Sequence, residues 1–186
     1  MNTGLTGRSA APDARVHRSV DWPGAGFPGV AVNPETLRRE VVDDELCAAA
    51  LAESTEDWPG IVVSLARNRV NEAAELVAAA RVADPGSIRL QLFEADVAAA
   101  AHDTDRALRI LRLLQADYRG RPAESSISQH LGQAYFLAGD YRSAVSHFSA
   151  ALELRVAHRA PAEQIHVSTI AVQRARELLE RHCSVA

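Results

Sequence analysis

Lysine is missing from this chain: all 20 of its basic residues are arginine. Cysteine occurs twice, at Cys47 and Cys183, far apart and outside any CxxC pair. That argues against a disulfide framework and makes a reducing interior the default setting. Aromatic residues are only 5% of the chain, too few for a β-sandwich core, which draws on aromatic and β-branched side chains. No window approaches the length of apolar sequence that a membrane span needs. The longest greasy stretch, Leu46 to Ala52, is mostly alanine and covers about two helical turns. The opening MNTGLTGRSAAPDAR contains no apolar run of the kind a secretory signal uses, so the expected location is cytoplasmic. A net charge of −4 gives no broad basic field, which argues against a protein that coats nucleic acid or an anionic membrane.

What is present is a chain of 186 residues, room for one domain or two small ones, with 47% apolar residues to build a core. Alanine makes up about a fifth of it, a bias that suits close-packed helices. Together with the missing lysine, we associate that bias with high-GC bacterial coding. Residues 1–32 are dense in glycine and proline, which forbids a regular helix there. This segment reads as an irregular or disordered arm, or as one whose Trp22 and Phe27 dock on the body.

Residues 33–186 read as a helical domain. Asn33 can cap a helix with Pro34 in its first turn, and Leu37, Val41, Leu46 and Leu51 follow near the helical period, giving a helix over 33–53. Apolar faces then recur to about His158, interrupted at Arg67-Asn68-Arg69, Asp84-Pro85-Gly86, His102-Asp103, Gly120-Arg121-Pro122 and Gly139-Asp140. A final helix covers 161–182. No strand or hairpin signal stands out.

The helices come in similar pairs. A polar turn precedes Ala73, Ala107 and Ala144, which are 34 and 37 residues apart. The segment from His130 to Leu154, HLGQAYFLAGDYRSAVSHFSAALEL, carries Gly132 and Ala144 as small residues for a close helix crossing, and Tyr135 and Phe148 as the large residues beside it. Period and motif together resemble the tetratricopeptide repeat. The resemblance covers about 54–158 and implies an all-α, right-handed α-solenoid of about three helix–turn–helix units, with flanking cap helices at 33–53 and 161–182.

The resemblance also implies a concave binding groove lined by the first helix of each unit. With Leu131, Gly132 and Tyr135 toward the core, Gln129, Gln133 and Phe136 fall on the groove side. Leu92 and Asp96 match them in the second unit, with Arg89 one turn earlier. Phe136 would be the apolar anchor for a partner, unless the final helix folds over it. The carboxylate-clamping relatives need a lysine, asparagine and arginine cluster, whereas this chain has Trp58, Val62, Phe93, Ser126 and His130 at those places.

Sequence motifs for catalysis, metal binding or cofactor binding are absent. Cys47 reads as a small core residue, His130 and His147 as half-buried neutral imidazoles, and Asp43-Asp44-Glu45 as a solvated acidic cluster. Arg106, Arg109 and Arg112 recur every three residues on what reads as a solvated outer face. The expected function is a non-catalytic protein–protein interaction module, an adaptor or scaffold holding a partner peptide or helix, with no cofactor. A second copy of the chain is among the partners such a module admits. The alternative is a regulatory or sensor domain that binds a nucleic acid or small anion through arginines.

Overall fold

A computed structural model describes residues 22–184; readings that fall on 1–21, 185 and 186 lie outside the described residues. Two short strands, β1 (Val30–Val32) and β2 (Arg39–Val41), are followed by α1 (Asp44–Glu53), α2 (Pro59–Ala66), α3 (Val70–Ala83), α4 (Ile88–Ala100) and α5 (Thr104–Asp117). Then come α6 (Glu124–Leu137), α7 (Tyr141–Ala157) and α8 (Ala162–Cys183). The described residues are thus 69% helical, and helices adjacent in sequence pack on one another.

The pairs α2/α3, α4/α5 and α6/α7 are joined by one recurring turn. Asn68, His102 and Gly139 occupy equivalent places with φ of 57°, 63° and 81°. In each, the next amide reaches back around the helix end: Arg69 N to Ser64 O, Asp103 N to Ala98 O, and Asp140 N to Tyr135 O, at 2.8–3.0 Å. This left-handed closure satisfies carbonyls that a helix end otherwise leaves open. Asp103 and Asp140 then cap the following helix, accepting from Arg106 N and Ser143 N, each at 3.1 Å. One residue ends a helix and its neighbour starts the next, which explains why each break occupies so few positions. Arg159 repeats the left-handed closure between α7 and α8.

Three apolar clusters run along the molecule. Ile61, Val77 and Phe93 pack with Phe27, Val30 and Cys47; Leu92, Leu111, Ile127 and Leu131 form the middle cluster; Phe136, Phe148, Ala171 and Ala175 close the far end with Leu37. Burial of each large side chain contributes about 1.5–3 kcal/mol. Gly132 of α6 makes room for Phe148 of α7, because a Cβ at that position would clash with the Phe148 ring. Ala144, also fully buried, keeps the same crossing narrow.

The N-terminal reading needs correction. β1 and β2 form an antiparallel hairpin in the register Val30↔Val41, Ala31↔Glu40, Val32↔Arg39. Residues 33–53 are therefore not one helix, and a boundary at 32/33 falls inside a hairpin. Asn33 does accept from the amides of Glu35 and Thr36, but it caps the Asn33–Arg38 turn instead of a helix. The chain then leaves helical geometry at Leu37, whose φ is 54°. The helix starts seven residues after Leu37, at Asp44, capped by Asp43. The described part of the arm is docked: Phe27 is buried and meets the Trp58 ring edge-on at 6.0 Å, while Trp22 is half-buried.

The phase of α6 also differs from expectation. Phe136, read as a groove anchor, is only 7% exposed and packs against Tyr141 and Phe148. Tyr135, read as the core aromatic, is half-buried, stacks on His147 and accepts a hydrogen bond from Arg112 at 2.7 Å. α6 is enclosed by α7 on one side, and Leu37 and α8 join its core on another. It therefore buries more than one stripe, and the small shift in phase exchanges the two aromatic roles.

Candidate functional site

The hairpin lies across the first helix of every pair. β2 packs on α2; Arg39 Nη1 donates to Asp96 Oδ2 on α4 at 2.8 Å; Gln133 Nε2 on α6 donates to Leu37 O at 2.7 Å. Arg174 Nε on α8 donates to Glu35 O at 2.9 Å. The space left beneath is a cavity of about 690 Å³ with walls from the hairpin, α2, α4, α6 and α8. Its apolar lining includes Leu37, Leu65, Ala99, Leu111, Leu137 and Val167.

Asp96 is the electrostatic centre. Its side chain is 10% exposed and takes His130 Nδ1 on Oδ1 at 2.6 Å besides Arg39 on Oδ2. Burial alone would raise its pKa, but the charges and hydrogen bonds of His130 and Arg39 outweigh it and bring the carboxyl down to about 2. An ionised carboxylate only accepts, so the Nδ1 of His130 carries the proton. Its Nε2 makes no hydrogen bond to a described residue. His130 lines the cavity. The remaining lining carboxylates are engaged as well: Glu40 accepts from Asn33 Nδ2 at 2.8 Å, and Asp44 from Arg67 at 2.9 Å. Arg38 also lines the space and forms no ion pair among the described residues.

Of the six groove residues expected from sequence, Asp96, Gln129 and Gln133 line this cavity. The other three do not. Arg89 is exposed and lies over the Trp58 ring at 5.0 Å; Leu92 is buried in the middle apolar cluster; Phe136 is core. The Gln129 amide oxygen is already taken by Ser168 Oγ at 2.6 Å and Arg155 Nη1 at 3.2 Å. Arg106, Arg109 and Arg112 are exposed, as expected of an outer face, with Arg106 paired to Glu94 at 2.9 Å. His147 is half-buried and its pKa lowered, first by burial and then by the Arg112 charge.

Sequence reasoning missed Arg39, Leu37 and the pairing of His130 with Asp96. The signal for the hairpin was the β-branched pair of segments Val30-Ala31-Val32 and Glu40-Val41-Val42 around a polar turn. Asp96 and His130 stand on neighbouring first helices, α4 and α6, 34 residues apart; the equivalent of Asp96 on α6 is Gln133, so the pairing joins non-equivalent positions of adjacent units. In comparison with known proteins, no family model, no curated protein and no solved structure matches this chain.

Proposed function

We propose that the chain is a non-catalytic binding module of the tetratricopeptide type. In this reading its three helical hairpins form a right-handed solenoid between α1 and α8, and the cavity takes part of a protein partner. The observation that carries this is the convergence of α2, α4 and α6, with α8 and the hairpin, on one cavity of about 690 Å³. That is within the volume range of sites that bind small molecules or side chains. Apolar walls with a few fixed polar groups suit an extended peptide whose apolar side chain enters the cavity. Arg38 and the free Nε2 of His130 would meet a polar or acidic neighbour on that peptide.

The non-catalytic reading draws on the make-up of the lining: among the described residues no serine, threonine or cysteine lines the cavity with His130, so no side-chain nucleophile of that kind stands with the imidazole. Asp96, Glu40 and Asp44 are each occupied by a cation or an amide.

The test is selection of binders from a displayed peptide library, followed by titration of the selected peptides. Ala100 lines the cavity and is half-buried, so Ala100→Phe fills space without replacing a core contact. We expect it to weaken the selected peptides at least tenfold, about 1.4 kcal/mol, with the fold retained by circular dichroism. Peptides that bind Ala100→Phe and the parent equally would place recognition elsewhere and sink this reading.

A further inference from the structure

The hairpin leaves one edge of its sheet open. In an antiparallel pair, the N–H and C=O groups of successive residues point alternately toward the partner strand and away from it. Asn33 N donates to Arg38 O at 2.8 Å and Val42 N to Gly29 O at 2.9 Å, with Ala31 opposite Glu40 between them. Arg38, Glu40 and Val42 therefore turn their backbone groups toward β1, and Arg39 and Val41 turn theirs away. The far side of β1 is already covered, because Ala25 N donates to Val30 O at 3.0 Å and Val32 N to Pro23 O at 2.8 Å. The outer side of β2 has no such cover. Among the described residues, the N–H and C=O of Arg39 and Val41 have no partner there, whether backbone or side chain.

This edge belongs to the cavity of about 690 Å³. All three residues of β2 line that cavity, whereas β1 contributes only Val32. The strand is also held in place: Arg39 is bonded to Asp96, and Val41 packs with the apolar cluster around Ile61 and Val62. Proteins commonly guard an open edge with charged side chains. Here the charges of β2 are drawn to other partners, Arg39 to Asp96 and Glu40 to Asn33. Arg38 is the cation left at the cavity without an ion pair among the described residues.

We infer that the partner binds by strand addition: an extended segment of another protein pairs with the open edge of β2 and presents an acidic side chain to Arg38. The inference rests on the peptide-binding reading above and specifies how the peptide is held. Its backbone exchanges hydrogen bonds with Arg39 and Val41. Side chains of a strand alternate between two faces, so every second one enters the cavity and the others point away from it. Main-chain bonds then supply affinity, and the pocket for alternate side chains supplies specificity.

The experiment uses the full chain and a peptide selected from the displayed library, with two readouts. Amide hydrogen exchange by NMR is measured for the free and the peptide-saturated chain. Arg39 and Val41 should exchange fast when free and at least tenfold slower when saturated, whereas Glu40, paired with β1, should be slow in both. Binding is then measured for peptides methylated at one backbone nitrogen at a time. Methylation at every second position should weaken binding at least tenfold, and at the positions between by less than threefold. Arg38→Gln should weaken the parent peptide at least fivefold and leave unchanged a peptide whose acidic residue is replaced by its amide. Arg39 and Val41 amides as slow as Glu40 in the free chain would show an edge covered by the chain's own residues, and overturn the inference. So would a methylation series without alternation, or exchange at these two amides unaltered by the peptide. Equal binding of the parent peptide by Arg38→Gln overturns the acidic assignment. A peptide weakened by Ala100→Phe but lacking the alternation overturns strand addition alone, whereas one insensitive to Ala100→Phe overturns the peptide-binding reading itself.

Discussion

Replacing Asp96 with asparagine removes one charge and almost no volume, and it isolates what the carboxylate does. In the native protein Asp96 joins Arg39 of the hairpin to His130 of α6. Its pKa falls from 3.8 to about 2 on folding, which corresponds to about 2 kcal/mol of stability at neutral pH. Because the folded-state value is depressed, that contribution is complete above about pH 4 and is lost as pH falls through 2. Asp96→Asn should therefore melt about 4–8 °C below the parent at pH 7 for a chain of this size. Roughly half of the gap should close by pH 3. Thermal melts followed by circular dichroism across pH 3–7 measure both quantities. Hydrogen exchange adds a local readout: amides of β1 and β2 should lose protection before those of α6 and α7. A variant that melts with the parent at pH 7, or a gap unchanged down to pH 3, would refute the assignment of Asp96 as the hairpin's electrostatic anchor.

Phe136→Ala should cost about 3–5 kcal/mol in chemical denaturation, as truncation of a buried phenylalanine does; a loss below 1 kcal/mol would return Phe136 to the surface. Gly132→Ala should lose about 1–3 kcal/mol by pressing on the Phe148 ring, and Phe148→Leu in the same chain should recover part of it, as a double-mutant cycle would record. His102→Gly should raise stability by about 0.5–1 kcal/mol, because His102 holds the left-handed conformation that Gly139 adopts at the equivalent turn; a lower melting temperature would show that the imidazole contributes a contact outweighing its strain.

The helical pairs were legible because their punctuation is local. His102-Asp103 and Gly139-Asp140 combine a residue that tolerates the left-handed region with a capping acid, while Asn68 supplies the first of these without the second, and such preferences are visible in the residues themselves. Asp96 and Gln133 were legible for the same reason, as phase along a helix follows from spacing. What was hidden depends on partners distant in sequence. Asn33-Pro34-Glu35 suits a helix cap and a hairpin turn equally, and Leu37 decides between them by entering a core cluster with Phe136 and Ala171. The same cluster explains why Phe136 was misplaced: its face of α6 became interior when Leu37, about a hundred positions earlier, and Ala171 and Val172 of α8 covered it, the burial by the final helix that the sequence reading keeps as its alternative. His130 was recognised as half-buried, but its partner lay one repeat away.

The bond between Glu35 O and Arg174 Nε spans 139 residues, and that separation sets the order in which the molecule can be completed. At ordinary rates of synthesis, on the order of ten seconds pass between the emergence of these two residues from the ribosome. During that interval α2 to α5 can pair with their immediate neighbours as they appear. The hairpin, by contrast, can find Asp96 and later Gln133, but its far side waits for α8. Until then Leu37 and Phe136 lack part of their cover. The nascent chain therefore carries an exposed apolar seam late into its synthesis, and a pause between α7 and α8 is the point at which it is most open to mispairing with another copy.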